Sequence, residues 1–367
     1  MYPSFIVEYS VAPHHLSKEV FIGIVKWLRE TRVEAKHTGR KLEADALKIV
    51  INRIYGALND AMDYLYDPEC TYTVTINLQL LLCGLIEAFE LNNFDVLSAN
   101  TDGLLVRLPL NRQGVFKHIC NEWSAYSKLD LETEKFEKYC RSAVNDYIAV
   151  GYGFYDALQE YNRCGVWIDS KGNTYTTRQA IEDKFIKFKG YFLQDPEYNK
   201  GFVYPVVKKA LKEYFLYGVD ITEFIRNYIN TSRTAIYDYC FSQKVAGKYT
   251  TIYKTVRDGK PVYIKCQKHN RFYICKSGGG AITKAIVPDS DNIAYGDDIS
   301  GIVVEEEKSL VAGQRVALFN DYEYKEDYNL NYGFYINEAY KILYGNGKTG
   351  KGERRGINNN SNNLFGW

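Results

Sequence analysis

The stretch Asp95 to Leu108, DVLSANTDGLLVRL, sets two short apolar runs on either side of the polar tetrad Asn100-Thr101-Asp102-Gly103. Period-two alternation broken by such a turn is the pattern of a β-hairpin. The hairpin carries Asp102 to its tip, where a carboxylate can meet a divalent cation and a polyanionic substrate instead of a core. A lone Asp-Gly pair marks nothing more than a turn. The weight placed on Asp102 comes from its company.

Upstream, Ala44 to Asp60 reads ADALKIVINRIYGALND, a helical run in which Lys48, Asn52 and Tyr55 fall at i, i+4 and i+7 and share a face. Leu47, Val50, Ile51 and Ile54 supply the apolar stripe that docks the helix. Gly56 ends the polar row and leaves room for another backbone or a base pair. Such a face suits a nucleoside triphosphate, with the ammonium on phosphate oxygens and the ring beneath the new pair. The third element is the amino terminus, MYPSFIVEYSVAP.

These segments resemble the polymerase motifs of family B DNA polymerases, particularly the compact enzymes of bacteriophages. The family's helix pattern K-x-x-x-N-S-x-Y-G is matched by Lys48, Asn52, Tyr55 and Gly56, with Arg53 at the serine. Its hairpin ends in D-T-D, matched by Thr101 and Asp102, with Asn100 at the first aspartate. Of its first motif, D-x-x-S-L-Y-P-S, the chain keeps Tyr2, Pro3 and Ser4, with Met1 at the leucine. The likeness extends from Met1 to about Ile342. It implies an α+β fold of right-hand architecture, with an antiparallel palm sheet, short helical-hairpin fingers and a mixed α/β thumb.

By that resemblance the reaction is addition of a deoxynucleotide to a primer 3′ end by two-metal phosphoryl transfer, with magnesium as cofactor. Asp102 is then the retained metal ligand and Lys48 neutralises triphosphate charge. Asn52 and Tyr55 line the nascent pair, and Tyr2 sits under the sugar. Arg32 and Lys36 either reach the triphosphate from the facing helix or pair with Glu30 or Glu34. The family's K-x-Y element, which holds the primer strand, is matched by Tyr147 and not by Asn145. Lys187, Lys189 and Lys200, beside glycines, are candidates for the DNA backbone or plain surface charges. The first motif's aspartate would stand five positions before Tyr2, so a separate amino-terminal half, or a gene start set inside the motif, is expected, and the chain alone should be a poor catalyst. The alternative is an inactive remnant that grips primer-template DNA. A reverse transcriptase fits less well, because the Lys48 to Gly56 helix precedes the hairpin.

The 46 basic and 45 acidic residues balance, so the overall charge says nothing about a polyanionic partner. The local distribution does. Between Lys244 and Lys284 stand ten bases, among them Lys244, Lys248, Lys268 and Arg271, against the single acid Asp258, interleaved with Tyr249, Tyr253, Tyr263, Phe272 and Tyr273. This reads as a stripe along a phosphate backbone, with solvated surface charge as the alternative. Asp289 to Glu307, with seven acids and no base, reads as a solvated loop or edge. Eight cysteines without a C-x-x-C pair point to reduced thiols. With no leader and no apolar stretch near membrane-span length, the expectation is a soluble cytoplasmic protein, in the host cytoplasm if viral.

Along the chain, 1–18 is expected as palm, with a strand and turn; 19–60 as fingers, two helices joined near His37 to Gly39; and 61–185 as palm. The palm segment should hold a Thr-rich strand at Tyr72 to Thr75, a long helix near Leu78 to Leu91, the hairpin, and a helix near Thr133 to Asp146. Thumb follows over 186–342, with an amphipathic helix from Pro205 to Tyr217. Residues 343–367 read as a disordered tail. Its GNGKTGKG resembles a phosphate loop but lacks both the Ser or Thr after the lysine and the following helix. The tail ends in Leu364, Phe365, Gly366 and Trp367, apolar anchors of the kind that dock on a partner such as a sliding clamp. Deleting these four residues should then leave distributive synthesis unchanged and remove stimulation by the clamp; equal stimulation of truncated and full-length protein would exclude the contact.

Overall fold

The computed structural model describes residues 1–100, 103–143, 146–190 and 204–344. The chain divides into two compact units, one from Met1 to Glu134 and one from Lys135 onward. That division falls inside 61–185, the stretch expected as one palm segment.

The first unit comprises α1 (Tyr2–Glu8), α2 (Lys18–His37), α3 (Lys41–Ala57), α4 (Pro68–Leu91), the hairpin β1 (Asp95–Asn100) and β2 (Gly103–Arg107), and α5 (Gln113–Ser127). The helical hairpin of α2 and α3, the hairpin of β1 and β2, and the apolar run from Leu78 to Leu91 follow the sequence. The amino terminus does not. Residues 2–8 form a helix instead of a strand, because Pro3 sits in the first turn, where its missing N–H costs nothing, and Phe5 and Ile6 bury on one side.

Tyr72 to Thr75 is likewise not a strand but the second turn of α4. Asp67 caps that helix, its Oδ1 accepting from the Cys70 N–H at 2.9 Å, and Pro68 opens it. The threonines that argued for a strand return their hydroxyls to the helix, Thr71 to the Asp67 carbonyl and Thr75 to the Thr71 carbonyl. Thr71, Val74, Leu78, Leu82, Leu85 and Phe89 repeat at helical spacing and form the buried face. At 24 residues α4 is long and apolar enough to cross a membrane, which corrects the expectation that no stretch approaches that length. Tyr72, Ile76 and Leu80 remain exposed on its far side. Helix α5, which no sequence pattern announces, packs through Ile119 and Trp123, whose indole N–H donates to the Leu81 carbonyl at 2.7 Å.

The second unit begins with β3 (Phe136–Ala143) and β4 (Asp146–Gly151), where a helix was expected over Thr133 to Asp146. Cys140, Ile148 and Val150 bury on one face at period two, and cross-strand packing outweighs the helical spacing of the charges. Then come α6 (Phe154–Cys164), β5 (Trp167–Ile168), β6 (Thr174–Tyr175), α7 (Arg178–Phe185), β7 (Ile186–Lys189), α8 (Pro205–Tyr217), α9 (Ile221–Asn227) and α10 (Ile236–Tyr239). Helix α8 has the expected bounds and buries Val206, Val207, Ala210, Leu211 and Phe215.

A β-rich region completes the unit: β8 (Cys240–Lys244), β9 (Thr250–Arg257), β10 (Lys260–Cys266), β11 (His269–Cys275), β12 (Ala281–Ile286), β13 (Glu305–Ser309) and β14 (Arg315–Leu318). They form antiparallel sheets of order β10-β9-β12-β13 and β14-β11-β8. Helix α11 (Tyr332–Tyr344) closes the described chain, so Leu343, which is buried, and Tyr344 belong to a helix and not to the tail. The observed class is α+β with small antiparallel sheets.

Asp67 knots the first unit. Its N–H donates to the Leu58 carbonyl, one oxygen caps α4, and the other accepts both the backbone N–H and a ring nitrogen of His14, each at 2.8 Å. Burial pushes its carboxyl up, but the N–H groups of Cys70 and His14 outweigh this and lower it to about 2. Asp67→Ala should cost about 0.5–2 kcal/mol for the cap alone. A depressed folded pKa contributes stability that is present above the ordinary 3.8 and is lost as pH falls toward 2. Asp67 also raises the His14 imidazole, whose contribution is present below the ordinary 6.5 and is lost as pH rises, so urea melts of wild type and variant should differ most between pH 3.8 and 6.5 and converge as pH falls toward 2.

Candidate functional site

Lys48, Asn52 and Gly56 are exposed on α3. Apart from its own helix, nothing among the described residues comes within 4 Å of a Cβ built at Gly56, so the row borders open space there. Val50 is 46% exposed and drops out of the docking stripe, whereas Ile51 is buried and Ile54 packs against the core alongside the buried Leu58. Tyr55 turns inward. Its ring stacks on Tyr2 at 4.2 Å between centroids and 13° between planes, and its hydroxyl shares a 2.7 Å hydrogen bond with that of Thr75.

Two residues read separately as nucleotide contacts thus touch each other. Because Tyr2 begins a helix, its ring reaches α3 from α1. Arg53, where the motif has serine, pairs with Asp63 at 2.8 Å and Asp60 at 3.4 Å and ties the end of α3 to the loop that follows. On α2, Lys36 lies 3.6 Å from Glu132 instead of pairing with Glu30 or Glu34, which meet Lys26 and Arg40. Arg32 is half-buried, and its Nε has no hydrogen-bond partner among the described residues. β1 and β2 pair with Asn100 opposite Gly103, and Thr101 and Asp102 lie outside the described residues.

The second unit carries a different surface. In the sheet β3-β4-β7, Arg141, Tyr147 and Lys189 stand opposite one another, as do Tyr139, Ala149 and Lys187. Directly opposed residues share a face. Tyr139 stacks on Tyr147 at 4.9 Å, while Lys189 lies 5.9 Å from the Tyr147 ring and Lys187 6.0 Å from that of Phe136. Three cations and three aromatic rings thereby occupy one sheet face. Burial, with Tyr147 beside it, pushes the Tyr139 phenol up to about 12, so it remains a neutral donor. Arg141, Tyr139 and Phe136 were not read as site residues, because a helix assigned to their segment scatters them around an axis. Asn145 and Lys200 lie outside the described residues.

The basic stripe is less continuous than its sequence. Lys248 pairs with Glu306 at 3.1 Å, Lys254 pairs with Glu307, and Lys265 is buried with its ammonium on the Ser290 and Ile293 carbonyls. Arg271 lies 4.9 Å over Tyr237, and Lys284 4.9 Å over Tyr249. Lys244 and Lys268 are exposed. The acidic run therefore neutralises part of the stripe: its last three acids open β13, which pairs with β12. Burial raises the Glu307 carboxyl, but the Lys254 ammonium more than offsets this and holds it below the usual range.

No family model matches the chain, and no curated protein matches it. A solved structure, that of the family B DNA polymerase from the hyperthermophilic archaeon Pyrobaculum calidifontis, is similar at 13% identity with a TM-score of 0.44, over 93% of this chain and 43% of that one. The chain thus spans less than half the length of that structure.

If the packing of α1 on α3 is as tight as its geometry, Tyr2→Leu and Tyr55→Leu should couple in a double-mutant cycle by about 0.5–1.5 kcal/mol. Tyr55→Phe should keep the stack and lose about 1 kcal/mol with the Thr75 hydrogen bond. Chemical denaturation of the four proteins of the cycle, and of Tyr55→Phe, measures both.

Proposed function

We propose that the chain is the palm, fingers and thumb portion of a family B DNA-directed DNA polymerase. The observation that carries the reading is the stack of Tyr2 on Tyr55. The motif resemblance assigns these two residues to the sugar and base pair of one nucleotide, and side chains serving one nucleotide must be neighbours. Lys48 and Asn52 line the exposed face of the same helix, beside a glycine that borders open space.

In this reading the primer 3′ oxygen attacks the α-phosphorus of a deoxynucleoside triphosphate. A P–O bond to the primer forms, the bond to the bridging oxygen breaks, pyrophosphate leaves, and the hydroxyl proton passes to solvent. Lys48 offsets the triphosphate charge, with Arg32 and Lys36 on the facing helix as further cations. The described residues do not fit a metal centre by themselves, since they contain no group of three or more His, Cys, Asp or Glu side chains placed to hold an ion. Asp102 lies outside them. Magnesium, a partner segment carrying the first motif's aspartate, and a clamp that receives Leu364, Phe365 and Trp367 belong to the proposal by resemblance alone.

The face of β3, β4 and β7 supports the second reading, a remnant that binds primer-template DNA without catalysis, because cations and rings on a sheet hold a strand with no help from a carboxylate. One experiment separates the two. With an upstream segment bearing the first aspartate supplied, primer extension should occur, Asp102→Asn should abolish it, and duplex affinity should change by less than about twofold. Lys48→Ala should raise KM for the nucleotide by about tenfold with duplex affinity intact. Undiminished turnover in the Asp102 variant would overturn the polymerase reading, and absence of extension under every condition would leave the binding reading in its place.

A further inference from the structure

Glu182 on α7 is a carboxylate with its side chain only 3% exposed, and three donors meet it. Arg178 Nε reaches it at 2.9 Å, and Lys212 and the Tyr217 hydroxyl, both from α8, complete the set. Arg178 also holds Glu213 at 2.9 Å and lies 3.6 Å over the Tyr217 ring, so two acids and two bases balance. Net stabilisation does not account for such a cluster, since apolar side chains of similar volume commonly do as well. What an ion pair adds is direction.

The direction here leads to β7. Lys212, fixed by Glu182, places its ammonium 5.6 Å over the ring of Phe188. Phe188 stands between Lys187 and Lys189, and alternation along a strand sends it to the opposite face from both. Strand β7 is bonded on one side, to β4, and no strand among the described residues pairs with its other edge. Its inner face must therefore fix its height and tilt. Lys184, on α7, is tied in turn to Asp169 and to the Tyr175 hydroxyl near the β5-β6 hairpin, so the helix leading into β7 is tethered at two points.

We propose that Glu182 is a positioning residue that sets the two lysines of β7 against a nucleic-acid strand, acting through Lys212 and Phe188; this rests on the reading of the β3-β4-β7 face as a strand-binding surface. The test uses the full chain and a fluorescein-labelled primer-template duplex with a single-stranded 5′ overhang, titrated at several salt concentrations. Lys187→Ala/Lys189→Ala should weaken binding and flatten the slope of log affinity against log salt by about 0.9 for each phosphate that is no longer neutralised. Glu182→Gln should weaken binding by about threefold or more in the wild-type background and add nothing once both lysines are gone. Lys212→Met, which leaves Glu182 bound to Arg178 and Tyr217, carries the same test if Glu182→Gln does not fold, and thermal melts report folding throughout.

Equal losses in both backgrounds would show that Glu182 and Lys212 act only through general stability, and would overturn the proposal. No loss in either background would overturn it too. Undiminished affinity in Lys187→Ala/Lys189→Ala is a separate result: it would refute the strand-binding face itself, and the proposal with it.

Discussion

A carboxylate withdrawn from water must be met by donors, and each unit is built around one. In the first unit Asp67 gathers the end of α3, the start of α4 and the connector after α1. The Tyr2 ring, at the head of α1, can lie on Tyr55 only if those three chain segments keep their places. In the second unit Glu182 binds α7 to α8 and so governs the strand that leaves α7. Leaving either carboxylate buried without its partners would cost more than either gains when fully paired.

What the sequence disclosed followed from periodicity over long windows. α2, α3 and α8 were legible because apolar residues recur every three to four positions with punctuation at their ends, and the β1-β2 hairpin because its alternation breaks at an Asp-Gly turn. The failures were segments in which composition and tertiary context disagree. Tyr72 to Thr75 is β-branched and aromatic, yet a capped helix start and hydroxyls turned back on the backbone hold it helical. Phe136 to Ala143 carries charges at helical spacing, yet pairing with β4, itself backed by the sequence-remote β7, makes it a strand.

The candidate site was legible in its members and not in their arrangement. Lys48, Asn52 and Gly56 could be placed on one helix face from spacing alone. That Tyr55 turns away from this row to meet Tyr2 depends on α1 being a helix, which no motif announces. Arg141 joins Tyr147 and Lys189 only through strand register, a property of pairs of segments. The basic stripe shows the converse. A count of charges along the chain cannot see that Glu306 and Glu307, some fifty positions on, return to neutralise Lys248 and Lys254.

The same two glutamates bear on how the protein behaves in concentrated solution. β13 lies at the end of the sheet β10-β9-β12-β13, where a strand ordinarily offers its free N–H and C=O groups to a neighbouring molecule. Its sequence is Glu-Glu-Glu-Lys-Ser, all five residues are exposed, and Glu306 takes a positive φ of 48° that breaks the line of the backbone. Another copy approaching edge to edge would meet ion-paired side chains and a strand it cannot follow in register. The glutamates that quench the lysines of the stripe also guard the margin of the sheet against self-association.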